Sequence, residues 1–293
     1  MPSTYAHYKF GQDVLQRLPE ELQNVIENHL PLYHIGLHGP DLLFYYHPLF
    51  RHPVNQLGYR LHERKAISFF EHALSALKEM PDPEAGLAYI LGFICHFSLD
   101  SECHTYIEYK IQHSTMTHTE IESDFDRRLL RDAGCQPERT CLTTHIHPRH
   151  GDAEIIVRFF PQLQRKQIEK ALTSMIRYNR LLLTPGRWKR RFVRLLLRIT
   201  GNYKEMHGLL MPKFPRKGCE DSTLELIRRS RAAIPVAVRL CENFYNTYTE
   251  MDILSDRFRR TFGADVREKM KLEKEMKHYE RTINEARTKL DLI

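Results

Sequence analysis

The sequence predicts an all-α fold: a compact multi-helix domain followed by a C-terminal helical tail. Three observations carry this prediction. Nearly every segment repeats its apolar residues at helical period, no stretch shows the alternation of a half-buried strand, and Pro-led starts punctuate the pattern. Residues 11–30 put Val14, Leu18, Leu22 and Ile26 on one stripe, and residues 62–80 do the same with Ile67, Phe70, Leu74 and Leu77. "PDPEAG" (81–86) starts the long apolar helix that holds "HFSLDSECH" (96–104). "HGPDLLFYYHPLFRHPVN" and "CLTTHIHPRHGDAE" read as loops. "RKQIEKALTSMIRYNRLL", "GRWKRRFVRLLLRI" and "STLELIRRSRAAIPVAVRLCENFYNTY" read as helices. In the tail, Leu272, Met276, Tyr279, Ile283, Ala286 and Leu290 form a heptad seam, shorter than a coiled coil needs. The expectation is a domain over 1–255 and a charged helix over 256–293. That helix either folds back on the domain or pairs two copies into a homodimer.

Composition places the chain among ordinary globular proteins, at 42% hydrophobic and 28% charged residues. No basic start followed by an apolar run marks a secretory signal, and no stretch reaches the ~18 apolar residues of a membrane span. The six cysteines form no CxxC pair, so reduced thiols in a cytoplasmic protein are expected. Two asymmetries say more. Of 17 histidines, 15 lie in residues 1–150, where 13 Lys+Arg face 19 Asp+Glu. The remainder holds 31 Lys+Arg against 18 Asp+Glu. An acidic, histidine-rich front suggests cations, and a basic back suggests phosphates or an anionic surface.

His96, Asp100 and His104 recur every four residues and therefore share one face of the apolar helix. Buried imidazoles and a carboxylate are costly unless something pairs with them. The two histidines are ~12 Å apart along the helix, too far to share one ion easily, so the carboxylate between them suits a site with several metals. Gly92, one turn earlier, leaves room on that face for another group. His118 and Glu122 repeat the one-turn spacing and make a sound zinc half-site. Asp41, set by Gly39-Pro40 at a turn, His62 and His7 complete the candidates. Any one of these histidines alone is more often a hydrogen-bonded structural residue; together they are harder to explain that way.

An early His, a Pro-Asp, a later His, HxxxD followed by His, then HxxxE resembles the zinc-dependent phospholipase C family. That family shares its fold with single-strand-specific zinc nucleases. The likeness covers residues 1–255. It implies that His62, His96 and Asp100 surround one zinc with Asp41, that His104, His118 and Glu122 hold a second, and that His7 and Asp100 contribute to a third. It also puts Asp41 at the position of the family's candidate general base. Secreted members supply the third zinc from an N-terminal tryptophan, whereas this chain begins Met1-Pro2-Ser3-Thr4. Two zinc ions are therefore expected, the third being open. The long step from Asp41 to His62 leaves His47 and His52 as alternatives to His62.

The implied function is zinc-dependent phosphodiester hydrolysis by a metal-bound hydroxide, which can form near pH ~7. The substrate would be a phospholipid or another phosphodiester. One alternative is a nuclease or small-molecule phosphodiesterase of the same fold; another is a metal-stabilised interaction protein without catalysis. Aromatic residues stacking beside the metals would favour bases, and an apolar groove would favour acyl chains. Phe44, Tyr45, Tyr46 and Phe97 are candidates for a groove, with core packing as the plain expectation. His145, His147 and His150 read as a polar surface loop. Arg187, Arg191, Arg194 and Arg198 line one face of a helix whose other side carries Trp188, Phe192, Leu195, Leu196 and Ile199. Such a helix can lie on an anionic membrane; the plainer expectation buries its apolar side in the core.

Overall fold

A computed structural model describes residues 4–250, 252–265, 269–270 and 272–274. Among the described residues the regular structure is helical, with one isolated antiparallel bridge between Lys65 and Thr261. Met276, Tyr279, Ile283, Ala286 and Leu290 of the heptad seam, and with them the expected homodimer contact, lie outside the described residues.

Helices α1 (Thr4–Leu15) and α2 (Glu20–Asn28) carry the stripe expected over 11–30. Val14, Leu18, Leu22 and Ile26 are all buried. The stripe is nevertheless split between two helices, because Pro19 has no N–H with which to continue the first. A short α3 (Leu30–Gly36) leads into a 3-10 turn over Gly39–Tyr45. Helices α4 (Pro53–Glu63) and α5 (Ile67–Lys78) divide the second predicted segment. The break at 64–66 has a tertiary cause: Ala66 donates its N–H to the Arg260 carbonyl beside the Lys65–Thr261 bridge.

The centre of the fold is α6 (Pro83–Gln112), begun by Pro83 and by the Asp82 side chain, which accepts from the Ala85 N–H at 3.1 Å. It is buried on all sides from Ala85 to Ser101, as its apolar circumference requires. After α7 (His118–Asp132), α8 (Asp152–Val157), α9 (Arg165–Leu182), α10 (Arg187–Ile199) and α11 (Tyr203–Met206), the long α12 (Glu220–Glu250) returns along α6. None of the described helices is long and apolar enough to cross a membrane.

On its other side α6 meets α3, and there Gly92 has a role different from the one expected. A Cβ on Gly92 would lie 2.3 Å from the Tyr33 carbonyl oxygen, and one on Gly36 would lie 2.1 Å from that of Tyr89. The space that Gly92 leaves is filled by the α3 backbone and admits no ligand. Beyond α12, Phe258 and Phe262 are buried against Phe97, and Phe262 also packs on Phe93. Residues 256–265 thus join the same core: the Gly263 N–H donates to the His62 carbonyl, and that of Asp265 to Thr105 Oγ1.

Candidate metal centre

Five elements bring their polar side chains to one point beside α6. On α6, His96 and Asp100 adjoin, with Nε2 3.0 Å from Oδ2, and His104 Nε2 lies 3.6 Å from Oδ1 of the same carboxylate. From α1, His7 Nε2 comes within 3.2 Å of Asp100 Oδ1. From α4, His62 Nε2 lies 3.0 Å from Asp41 Oδ1 and 3.6 Å from Asp100 Oδ2. Asp41 itself stands in the 3-10 turn, 3.7 Å from His96 Nε2. From α7, Glu122 Oε1 is 3.1 Å from His118 Nε2 and 3.7 Å from His104 Nε2. All eight residues singled out in the sequence therefore meet, and Asp100 joins the two halves.

Local sequence explains these placements. The capping box of Thr117 and Glu120 fixes where α7 begins, so His118 and Glu122 both face His104. Gly39 has φ +46°, and a Cβ there would stand 2.3 Å from His96 Cδ2. Only glycine lets the turn pass so close over the imidazole and deliver Asp41. His38 anchors the same turn from outside, its Nε2 2.8 Å from that of His145. His34 Nδ1 donates to the His145 carbonyl at 3.1 Å. His145 is therefore buried, contrary to the surface loop expected for it, whereas His147 and His150 are exposed. Of the alternatives to His62, His52 caps α4 by accepting the Val54 N–H, and His47 is exposed beside Lys170. Neither reaches Asp41.

Several contacts in the cluster are close yet are not hydrogen bonds. Asp41 Oδ2, His96 Nε2, Asp100 Oδ2 and Glu122 Oε2 are buried without a hydrogen-bond partner. Orphaned buried polar atoms are rare and costly, and here they converge from different elements. The imidazoles are also oriented for it. His96 Nδ1 donates to the Leu37 carbonyl at 3.2 Å and His62 Nδ1 to that of Gly58 at 2.8 Å. Since a carbonyl only accepts, each Nε2 presents its lone pair to the cluster whenever the ring is neutral, the arrangement that metal-ligating histidines adopt. Nitrogen and carboxylate donors in this mixture suit zinc. Two sets lie with their donor atoms within 4.8 Å of one another: His7, Asp41, His96 and Asp100, and separately His104, His118 and Glu122.

Without a cation, the surrounding imidazoles stabilise the carboxylates, and His62 and His104 hold their protons more tightly. Burial opposes protonation of His62, but Asp41 and Asp100 outweigh it and carry its pKa to about 10. His104 moves upward for the same reason, between Asp100 and Glu122. Asp100 is held well below the usual carboxylate range: burial opposes this, and the surrounding imidazoles of His104, His96, His7 and His62 prevail. Glu122 is lowered likewise by His118 and His104 against burial.

A small cavity of about 40 Å³ borders Glu122. Leu142, Leu182, Leu183, Leu209 and Met211 form apolar walls, while Tyr45, Asn179 and Asp126 are polar. Asn179 Nδ2 donates to Tyr45 Oη at 3.1 Å, and Asp126 accepts the Tyr5 and Ala6 N–H groups at 3.1 and 2.7 Å. Asp126 thereby caps the helix that carries His7. Of the aromatic candidates, Tyr45 lines this cavity, Phe97 is core, and Phe44 stacks on His62 with ring centroids 5.2 Å apart. Phe262, whose ring packs beside both His62 and His96, carries no signal in the local sequence pattern.

The family model described as zinc dependent phospholipase C matches residues 6–196, which include all eight converging residues. No curated protein and no solved structure matches the chain. With the match spanning most of the sequence and including the residues that converge at one buried point, the chain belongs to the zinc-dependent phospholipase C family.

Proposed function

We propose that the protein is a zinc-dependent phosphodiester hydrolase acting on phospholipid. The observation that carries this reading is the set of buried, unpartnered donor atoms of Asp41, His96, Asp100 and Glu122, the last of which also lines a cavity with leucine and methionine walls. His62, His96, Asp41 and Asp100 would hold one zinc and His104, His118 and Glu122 a second, with His7 adjoining Asp100. Zinc, when bound, supplies Lewis acidity toward phosphoryl oxygens and brings the pKa of water into the neutral range.

The remaining work falls to this chain's own side chains. Asp41 turns Oδ1 to His62, and its carboxylate, at the edge of this donor set, is the group that would accept the proton of an attacking water. His62, fixed through Gly58, orients that carboxylate. Glu122 stands between the second histidine pair and the cavity, where a phosphate head group would enter. The leucine and methionine walls favour acyl chains over bases: Phe97 is enclosed in the core and cannot stack on a base, and Phe44 already packs against Tyr59 and His62. The cavity also speaks against a purely structural centre, because structural zinc sites are closed.

The test is metal analysis of the purified protein joined to a substrate screen. Zinc-dependent release of phosphorylated head group from phospholipid is expected, with little action on single-stranded DNA. Bound zinc without turnover on any phosphodiester would leave the metal-stabilised interaction protein as the better reading.

A further inference from the structure

Helix α10 does not bury its apolar side. Val193 and Leu197 face inward, forming a small separate core with Leu210. Trp188, Phe192, Leu195 and Ile199 are 82, 58, 53 and 72% exposed, contrary to the packed face expected for them. Their 4, 3, 4 spacing makes them one outward row. Arg187, Arg191, Arg194 and Arg198 repeat the spacing one residue earlier, about 100° around the helix. None of these four arginines forms an ion pair with a carboxylate among the described residues; Arg191 lies over the Trp188 ring and Arg198 over Tyr203.

We propose that α10 is a docking surface for an anionic lipid bilayer. A large apolar row beside an unpaired cationic row is what an interfacial helix presents: the apolar side chains enter the acyl boundary and the arginines meet head-group phosphates. Charge argues against a second copy on this face, since it would set four arginines against four. Leu195 and Ile199 argue against nucleic acid, because aliphatic chains offer nothing on which a base can stack. The surface also adjoins the cavity beside Glu122. Arg190 donates to the carbonyl of Met211, which lines that cavity, and Leu182 lines both it and the apolar cleft under α10. The surface deepens the phospholipid reading and rests on it for the purpose of docking, but not for docking itself.

Trp188 is the protein's one tryptophan, so its fluorescence reports on this helix alone. The full-length protein is mixed at low salt with phosphatidylcholine vesicles and with vesicles containing phosphatidylglycerol, with sedimentation and emission followed together. Binding to the anionic vesicles with a blue shift of Trp188 is expected, weakening as salt rises. Replacing the four arginines by glutamine should lower partitioning about a thousandfold, since each contributes about 1 kcal/mol near such a surface. Phe192→Ser/Leu195→Ser/Ile199→Ser should abolish the blue shift while leaving the far-UV circular dichroism unchanged, because these side chains are outside the core. The inference is overturned if wild type ignores both vesicle types, binds both equally, or binds without a change at Trp188. It is equally overturned if single-stranded DNA or self-association, and not lipid, shifts the emission. Hydrolysis of a soluble phosphodiester is measured in parallel. Docking without hydrolysis supports this inference and removes the proposed activity; hydrolysis without docking does the reverse.

Discussion

His62 Nε2 stands 3.0 Å from Asp41 Oδ1, while its Nδ1 donates to the Gly58 carbonyl at 2.8 Å. One imidazole thus ties α4 to the 3-10 turn and leaves the other Asp41 oxygen unclaimed. Asp41→Asn should keep most of the zinc and lose turnover by about 10²–10⁴-fold, the range of general-base catalysis. Metal content and rate measured on one preparation check this. Full activity removes Asp41 as the base, and loss of zinc reassigns it to a ligand role alone.

Asp100 touches His7, His62, His96 and His104 at 3.0–3.6 Å. Asp100→Asn replaces a shared anion by a neutral amide that turns a donor toward imidazoles. Zinc affinity should fall by more than about 100-fold, beyond the usual effect of an outer-shell change. Titration in zinc buffers, with circular dichroism as the check on folding, is the measurement. Unchanged stoichiometry would remove the shared-carboxylate role.

Zinc uptake should release protons. The metal-free His62 has its pKa raised to about 10, burial being outweighed by Asp41 and Asp100, and His104 moves the same way. Near neutrality the His62 ring is therefore protonated and must give up that proton to become a ligand. Calorimetry in buffers of different ionisation enthalpy should show this release, and zinc affinity should weaken as pH falls. For the metal-free protein, His62 binds its proton more tightly when folded than when unfolded. Its contribution to stability is fully present below pH ~6.5 and disappears as pH rises through about 10. Metal-free melting temperatures that rise over that window would contradict the assignment.

Asp126→Ala should leave the Tyr5 and Ala6 N–H groups at the start of α1 without an acceptor. Loss of such a cap costs about 1–2 kcal/mol. The effect on metal should be confined to the neighbourhood of His7, sparing the set formed by His104, His118 and Glu122. Thermal denaturation and zinc stoichiometry together check this; equal loss at both sets points to a general collapse of the cluster.

The sequence displayed the parts of the site that local spacing controls. HxxxDxxxH and HxxxE are one-turn relations, so a helical pattern suffices to align them. His7, Asp41 and His62 stood out as candidates in the acidic, histidine-rich front, but only the family likeness assigned them to shared metals, since nothing in their spacing states that α1, a turn and α4 meet at α6. What stayed hidden depends on tertiary contact. The rings of His38 and His145, 107 positions apart in sequence, adjoin, Phe262 reaches His96 from beyond α12, and Pro19 and the Arg260 contact divide two continuous stripes. Helix α10 misled in another way. Its pattern is the same whether the apolar row meets a core or a solvent boundary, and its inward side turned out to be Val193 and Leu197.

Gly36 and Gly92 leave α3 and α6 touching main chain to main chain, with no side chain between them as a spacer. Such a contact cannot be compressed. The turn that presents Asp41 hangs from α3 three residues beyond Gly36, so its distance from His96 inherits this lower limit. Any larger residue at 36 or 92 would act as a shim, moving the turn outward in steps set by side-chain volume. Two positions with no chemistry of their own are therefore a dial for the carboxylate–imidazole separation, and they can be turned without altering either functional group.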